Sequence, residues 1–216
     1  MIGLSPLQAG LWTIPFAGGF IVGSMLTPMI ARRVRPAFVM AAGSALAAVG
    51  FAVLTQVNGA SGLAILVTGF VVFSLGLAPV FTLATDMIVG TAPPERAGAA
   101  SAISETGSEF GGALGIAILG SIGIAVYRRE VTDAIPAGLP LEAAEAARDT
   151  LGGALAVAGQ LPDQLGAGLL EAAREAFAQS LQLTAATSAA ISVGIAILAA
   201  ILLRRVGSHA EAHRQR

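Results

Sequence analysis

The stretch Gly98–Tyr127 reads GAASAISETGSEFGGALGIAILGSIGIAVY, and it decides the class of the protein. It is 30 residues long and contains no basic residue, whereas about 20 apolar residues are enough for a helix to cross a bilayer. It nevertheless contains two acidic residues, Glu105 and Glu109. A carboxylate at the centre of a membrane helix costs about 2.5–3.5 kcal/mol on the mildest insertion scale. That cost indicates a functional role, and acidic residues of this kind are typical proton or cation sites in transporters.

The composition of the whole chain is that of a membrane protein. Its 216 residues are 55% hydrophobic and 12% charged, with a mean hydropathy of +0.80, whereas a soluble domain carries about 25% charged residues. The formal net charge of −1 argues against a nucleic-acid surface. The absence of cysteine excludes disulfides and thiolate metal sites. The sequence has no histidine cluster, nucleophile elbow or phosphate loop, and this argues against an enzyme.

Five apolar spans are long enough to be membrane helices, so the sequence predicts an all-α membrane protein. The first four spans, all within residues 1–127, are expected at about 7–31, 37–54, 62–84 and 98–126. The rest of the chain is divided into an external loop over 128–180, a last membrane helix over 181–204 and a tail over 205–216.

The loop contains two amphipathic stretches, Leu141–Val157 and Asp163–Gln182, and no stop signal separates the second from the last span. We expect a solvated connector that partly covers the outer face of the membrane helices and carries no chemistry of its own.

The distribution of arginine, which supplies every basic side chain, predicts the orientation. Three groups of arginines fall on the same side of the five-span arrangement: Arg32, Arg33 and Arg35; Arg96; and Arg204, Arg205, Arg214 and Arg216. By the positive-inside rule that side is the cytoplasm, which places the C-terminus inside a plasma (inner) membrane. Arg128 and Arg129 fall on the other side and are exceptions. The odd number of spans and an external N-terminus predict that the chain is the C-terminal part of a longer protein.

The fourth span has two faces. Glu105 and Glu109 are four residues apart and share one face of a helix. Gly107, Gly111 and Gly115, also spaced by four, lie on the nearly opposite face and form a surface of the small-xxx-small type. We therefore expect the acidic face to look into a cavity, where the carboxyl groups bind and release protons, and the glycine face to pack against another helix.

Two alternatives to a functional role of the acidic residues stay open. The carboxylates could pair with basic or amide groups on further helices and only hold the bundle together. Alternatively, the membrane span could begin near Phe110, which would leave both acidic residues at the interface with water.

Two further features of the apolar spans are candidate functional or packing sites. Asp86 follows the third span near the cytoplasmic interface, where a structural role or a part in gating is expected. Gly19 and Gly23 form a GxxxG pair in the first span, which predicts close helix packing.

Three stretches of the sequence resemble the fourteen-helix drug:proton antiporters of the major facilitator superfamily, the QacA/EmrB-like branch. They are GLSPLQAGLWTIPFAGG at residues 3–19, TPMIARRVRP at 27–36 and ATDMIVGTAPPERAGAASAISETGSEFGGALGIAILGS at 84–121. The last is the most specific, because its PPERAG turn and the following SET…GGALG helix resemble the helix that precedes the long external loop in that branch.

The resemblance implies a fold and a function. The five spans would be helices ten to fourteen, most of the C-terminal bundle of a major facilitator fold. Proteins of this branch export lipophilic, often cationic compounds in exchange for protons by alternating access, and so confer multidrug and antibiotic resistance. The proton gradient supplies the energy, without a cofactor or a metal. The implied partners are the lipid bilayer, small lipophilic or cationic substrates and the missing N-terminal helices of the same protein.

The resemblance also assigns roles to residues. In the quaternary-ammonium exporters an acidic residue of the penultimate helix takes part in cation recognition or proton coupling. Glu105 matches that position best, and Glu109 falls where a second acidic residue can occur. Some members carry a membrane-embedded aspartate close to the position of Phe20, and this chain lacks it.

An alternative function of a different class is that of a non-transporting membrane subunit or fragment, which pairs with a partner half.

Overall fold

The computed structural model describes residues 6–57 and 62–203, and this part of the chain is built from helices without a β-strand. We number the α-helices in chain order: α1 (Pro6–Leu11), α2 (Ile14–Ala31), α3 (Pro36–Leu54), α4 (Gly62–Gly90), α5 (Ala97–Thr132), α6 (Leu141–Asp149), α7 (Leu151–Ala158) and α8 (Asp163–Leu202). Five of them, α2, α3, α4, α5 and α8, are long and apolar enough to cross a membrane. The predicted all-α membrane protein is thereby confirmed. The predicted tail over 205–216 lies outside the described residues.

The ends of the membrane helices differ from the predicted spans, and prolines explain two of the differences. The first span is divided into α1 and α2 by a break at Trp12 and Thr13, and Pro15 lies in the first turn of α2. There a proline is tolerated because its missing N–H would have no partner within the helix. Helix α4 continues six residues beyond position 84 and ends at Gly90, ahead of Pro93, because a proline disfavours helical backbone in the residue before it.

The connection between α5 and α8 is shorter and more structured than the predicted loop over 128–180. Helix α5 extends to Thr132, and α8 begins at Asp163, so the second amphipathic stretch and the last span form one continuous helix. No proline interrupts α8, which lets it continue for 40 residues. The first amphipathic stretch is divided into α6 and α7 at Thr150, whose backbone is extended (φ −151°, ψ 152°).

The chain divides into two compact units. We call residues 6–57, 62–110 and 185–203 the glycine-packed unit, and residues 111–184 the cap unit.

Glycines set the distance between the helices of the glycine-packed unit. A Cβ atom on Gly43 of α3 would lie 2.6 Å from the carbonyl oxygen of Gly76 in α4, and one on Gly76 would lie 2.5 Å from the carbonyl oxygen of Gly43. A Cβ atom on Gly50 would lie 2.7 Å from the Cα atom of Phe73. The backbones of α3 and α4 therefore touch, as small residues allow in membrane helices.

Helix α2 packs on α4 through the GxxxG pair. A Cβ atom on Gly23 would lie 2.8 Å from the Cβ atom of Ala78, and one on Gly19 would overlap the hydroxyl of Ser74. Beside this contact the ring of Phe16 packs against two phenylalanines of α4, with ring centroids 6.3 Å from Phe70 and 6.0 Å from Phe73. Gly19 and Gly23 therefore lie in a helix–helix contact of the described structure.

The cap unit has its own apolar core. Its buried residues come from α5, α6, α7 and α8 and are Tyr127, Val131, Ala147, Ala154, Val157, Leu169, Ala173 and Ala176. Half of them are alanine, so the helices approach closely. The segment expected to be a solvated connector is therefore packed, because its small apolar residues bury one another between the ends of two long helices.

Thr150 offers a direct test of the fold of α7. Its hydroxyl accepts a hydrogen bond of 2.9 Å from the amide of Gly153 and so caps the helix. We expect Thr150→Ala to destabilise α7 by about 1 kcal/mol, the usual cost of losing such a cap. Hydrogen exchange followed by mass spectrometry should show faster exchange of the α7 amides, whereas Thr150→Ser should retain the protection. Equal protection in the alanine variant would contradict the assigned cap.

Candidate functional site

Helix α5 positions the two acidic residues of the candidate site. It begins at Ala97, directly after the 3₁₀ turn Pro94–Arg96, and runs for 36 residues without a proline. Glu105 and Glu109 follow its first residue by eight and twelve positions, which is about 12 and 18 Å along the axis at about 1.5 Å per residue. The two carboxylates are therefore one turn apart on one face of a continuous helix.

The acidic face of α5 is open. Glu105 and Glu109 are both exposed, and within residues 6–57 and 62–203 no hydrogen bond or ion pair reaches either carboxylate. Among the described side chains they therefore have no structural partner. The predicted cavity, the depth of the acidic residues in a membrane and their role in proton or substrate binding stay predictions.

An apolar groove lies beside the acidic face. It has a volume of about 420 Å³ and is lined by Ala102, Ile103, Thr106, Gly107 and Phe110. Thr106 and Phe110 each follow an acidic residue by one position, which is about 100° around a helix. Because the hydroxyl of Thr106 donates to the carbonyl of Ala102 at 2.8 Å, it is engaged within its own helix. The groove thus offers apolar surface next to the two carboxylates.

The predicted glycine face of α5 has open space in front of it among the described residues. Cβ atoms on Gly107, Gly111 and Gly115 would meet nothing within 4 Å, unlike those on Gly19 and Gly23. The backbone of α5 is therefore accessible along this face, and its packing partner stays a prediction.

Asp86 lies inside α4 rather than after it. The helix continues four residues beyond it to Gly90, and the side chain is exposed. No hydrogen bond or ion pair is formed by the Asp86 carboxylate within the described ranges. Its part in gating stays a prediction.

Comparison with protein-family models gives no match, but three curated relatives are similar over most of the chain. The multidrug efflux pump LfrA of Mycolicibacterium smegmatis is 38% identical over 205 residues, 95% of this chain and 40% of the relative. The tetracenomycin C resistance and export protein of Streptomyces glaucescens is 31% identical over 91% of this chain and 38% of its own length. The methyl viologen resistance protein SmvA of Salmonella typhimurium is 35% identical over 81% of this chain and 35% of its own length.

The chain is therefore similar to efflux, export and resistance proteins of the major facilitator type. The predicted family and fold are confirmed by these relatives together with the five apolar helices. The chain spans about two fifths of the length of the curated relatives it matches. This coverage agrees with the expected C-terminal portion of a longer efflux protein.

One charged cluster of the chain was not predicted from its sequence. Arg128 and Asp149 form an ion pair of 2.7 Å, and with Glu145 and Arg148 they line a hollow of about 280 Å³ in the cap unit. The paired residues are 21 positions apart, and no short-range spacing links them. Their pairing follows from the packing of α6 on α5, which the sequence pattern does not predict.

In the described part of the chain no three His, Asp or Glu side chains are grouped closely enough to hold a metal ion.

Proposed function

We propose that this chain is the C-terminal part of a proton-coupled exporter that moves lipophilic or cationic compounds across the plasma membrane by alternating access. The observation that carries the proposal is the pair Glu105 and Glu109 on the open face of a helix long enough to span the membrane. Ionised carboxylates are costly inside a bilayer and are retained there for ion or proton pathways. The names of the relatives, which include multidrug efflux, tetracenomycin C export and methyl viologen resistance, support this class of substrate.

The proposed mechanism uses the charge of the two carboxylates. When ionised, Glu105 and Glu109 attract a cation, and the groove lined by Ile103 and Phe110 accepts the apolar part of the same molecule. Protonation neutralises the carboxylates and removes the attraction, so the cation leaves on the side where protons arrive. Because a ligand shifts a two-state equilibrium only by its differential affinity, proton and cation must prefer opposite conformations.

The partners of this proposal are the lipid bilayer, the substrate and the N-terminal helices of the same protein. Those helices would cover the open glycine face of Gly107, Gly111 and Gly115 and complete the cavity in front of the acidic residues. The coverage of about two fifths of the relatives supports the existence of these N-terminal helices.

We further propose that the C-terminus is cytoplasmic, that Asp86 takes part in gating and that the protein is not an enzyme. The transport cycle needs only the proton gradient and no cofactor.

The test of the proposal is substrate-dependent proton release. In proteoliposomes containing the complete exporter, a lipophilic cation such as ethidium should produce proton movement opposite to its own, measured with a pH-sensitive dye. An ionophore that collapses the proton gradient should stop ethidium accumulation, because the gradient is the energy source. Ethidium accumulation that is independent of the gradient would overturn the proton-coupled mechanism.

A non-transporting membrane subunit that pairs with a partner half is the alternative, and it makes a different prediction. It predicts no ethidium-dependent proton release from the chain in any assembly, together with a stable complex with a separately encoded partner. Purification of the tagged chain from its native membrane, followed by mass spectrometry of what accompanies it, distinguishes the two.

A further inference from the structure

The two long helices of the cap unit, α5 and α8, are in close contact at Gly123 and Ser180. The hydroxyl of Ser180 in α8 donates a hydrogen bond of 2.7 Å to the carbonyl oxygen of Gly123 in α5. A Cβ atom on Gly123 would lie 3.0 Å from the Ser180 hydroxyl and 3.3 Å from that of Thr184. Gly123 is buried. Helices α5 and α8 are therefore joined by a hydrogen bond at a close contact that leaves little room to slide.

Farther along α5, the short helix α6 contacts both long helices, α5 and α8. The hydroxyl of Tyr127 donates to the carbonyl oxygen of Ala147 in α6 at 3.0 Å, in a buried position. One turn later Val131 is fully buried, and Leu169 of α8 is 1% exposed in the same core. Helix α6 therefore lies on both α5 and α8 through a buried hydrogen bond and apolar packing.

Helices α6 and α7 are themselves held without free space. A Cβ atom on Gly153 of α7 would overlap the carbonyl oxygen of Ala146, and one on Gly166 of α8 would lie 2.5 Å from the carbonyl oxygen of Ala158. Alanines make up half of the core that these helices enclose. Packed interiors change between discrete arrangements and do not deform continuously. A movement of α5 relative to α8 in this unit would have to break all of these contacts together.

We propose that the cap unit is a rigid clamp, which keeps the C-terminal part of α5 and the N-terminal part of α8 in one fixed arrangement throughout the transport cycle. The proposal rests on the proposed export function, since it states which part of the exporter does not move. It contrasts with a loop that opens and closes as a gate, for which exposed, loosely packed segments are typical.

The test uses a disulfide across the contact of α5 with α8. The chain has no cysteine, so the double variant Gly123→Cys with Ser180→Cys contains only the intended pair. The 3.0 Å between the Cβ position of residue 123 and the side-chain oxygen of Ser180 suits a disulfide, whose S–S bond is about 2.05 Å long. We expect the oxidised exporter to retain ethidium export within a factor of about two of the reduced exporter, because a clamp that does not move is not impaired by locking.

The experiment distinguishes a contact of α5 with α8 that stays closed from one that opens during transport. Export that is lost on oxidation and restored by dithiothreitol would show that α5 and α8 separate during transport, and would overturn the clamp. The single-cysteine variants are the controls for effects of the oxidant. If the unmodified exporter shows no ethidium export at all, the proposed function fails, and the clamp is decided by the next measurement.

Hydrogen exchange tests the clamp without any variant or transport assay. In the unmodified complete protein, the amides of residues 141–158 should be protected. Their exchange rates should change by no more than a factor of about two between acidic and alkaline pH, after correction for intrinsic rates, and on addition of tetraphenylphosphonium as a lipophilic cation. Fast exchange in all conditions, or protection lost on addition of the cation, would overturn the clamp.

Discussion

The replacement Glu109→Gln in the complete protein should abolish the proposed proton-coupled export of ethidium while leaving expression unchanged. Glutamine has nearly the shape of glutamate but cannot release a proton, so the step in which the carboxylate loads and unloads a proton is lost. Glu109 is exposed on the face of α5 and forms no hydrogen bond or ion pair with a described side chain that the replacement could break. Ethidium-dependent proton movement in proteoliposomes should fall to that of vesicles without protein, and an immunoblot should show the normal amount of protein.

Glu130→Gln is the matched control for this prediction. It is the same chemical change on the same helix, at an exposed position beyond the predicted span of 98–126, and it should leave export unchanged. Glu105→Gln should impair export as well, because the two carboxylates share one face. Normal export by both the Glu105 and the Glu109 variants would remove the acidic residues from the mechanism and favour the alternative in which they lie at the membrane interface.

The alternative of a purely structural role predicts a different result for Glu109→Gln. If the carboxylate only pairs with a group on another helix, the variant should be poorly expressed or unstable in detergent. A salt bridge at membrane depth that loses one partner leaves an uncompensated charge, which costs several kcal/mol. Measurement of both the amount of protein and its transport therefore separates the two roles.

The structural features that the sequence predicted depend on short spacings along the chain. The four-residue spacing of Glu105 and Glu109 placed both carboxylates on one face of what is a single continuous helix, α5. The GxxxG pair Gly19 and Gly23 pointed to a close helix contact, and these glycines touch α4. Both inferences need only the helical period, which is a local property of the chain.

Contacts between distant segments were not predictable in the same way. The reciprocal approach of Gly43 and Gly76 joins residues 33 positions apart, and no spacing in the sequence links them. Residues 128–180 were expected to be a solvated connector, and the core of the cap unit was not predicted. Half of its buried residues are alanine, which is common on helix surfaces as well, so no pattern in the sequence marks them as buried. The buried hydrogen bond from Tyr127 to Ala147 exists only once α6 is folded onto α5.

The replacement Gly76→Leu should prevent the normal packing of α3 on α4. A Cβ atom at this position would already lie 2.5 Å from the carbonyl oxygen of Gly43 and 2.9 Å from the carbonyl carbon of Leu46. These are backbone atoms, which cannot rotate away as a side chain does, so α3 and α4 would have to separate along their length. Overpacking of a well-packed site costs about 1–3 kcal/mol, and a backbone contact lies at the upper end of that range. We expect the variant to lose thermal stability in detergent and to yield little folded protein.

The matched control is Gly90→Leu at the end of the same helix, where a Cβ atom would meet nothing within 4 Å. It is the same change in volume and hydrophobicity, so any general effect of leucine on insertion or expression is shared by both variants. Only the variant at position 76 forces two backbones apart, and the difference in melting temperature between the two variants therefore measures the glycine contact itself. Equal stability of the two variants would mean that α3 and α4 do not pack through Gly43 and Gly76 in the membrane.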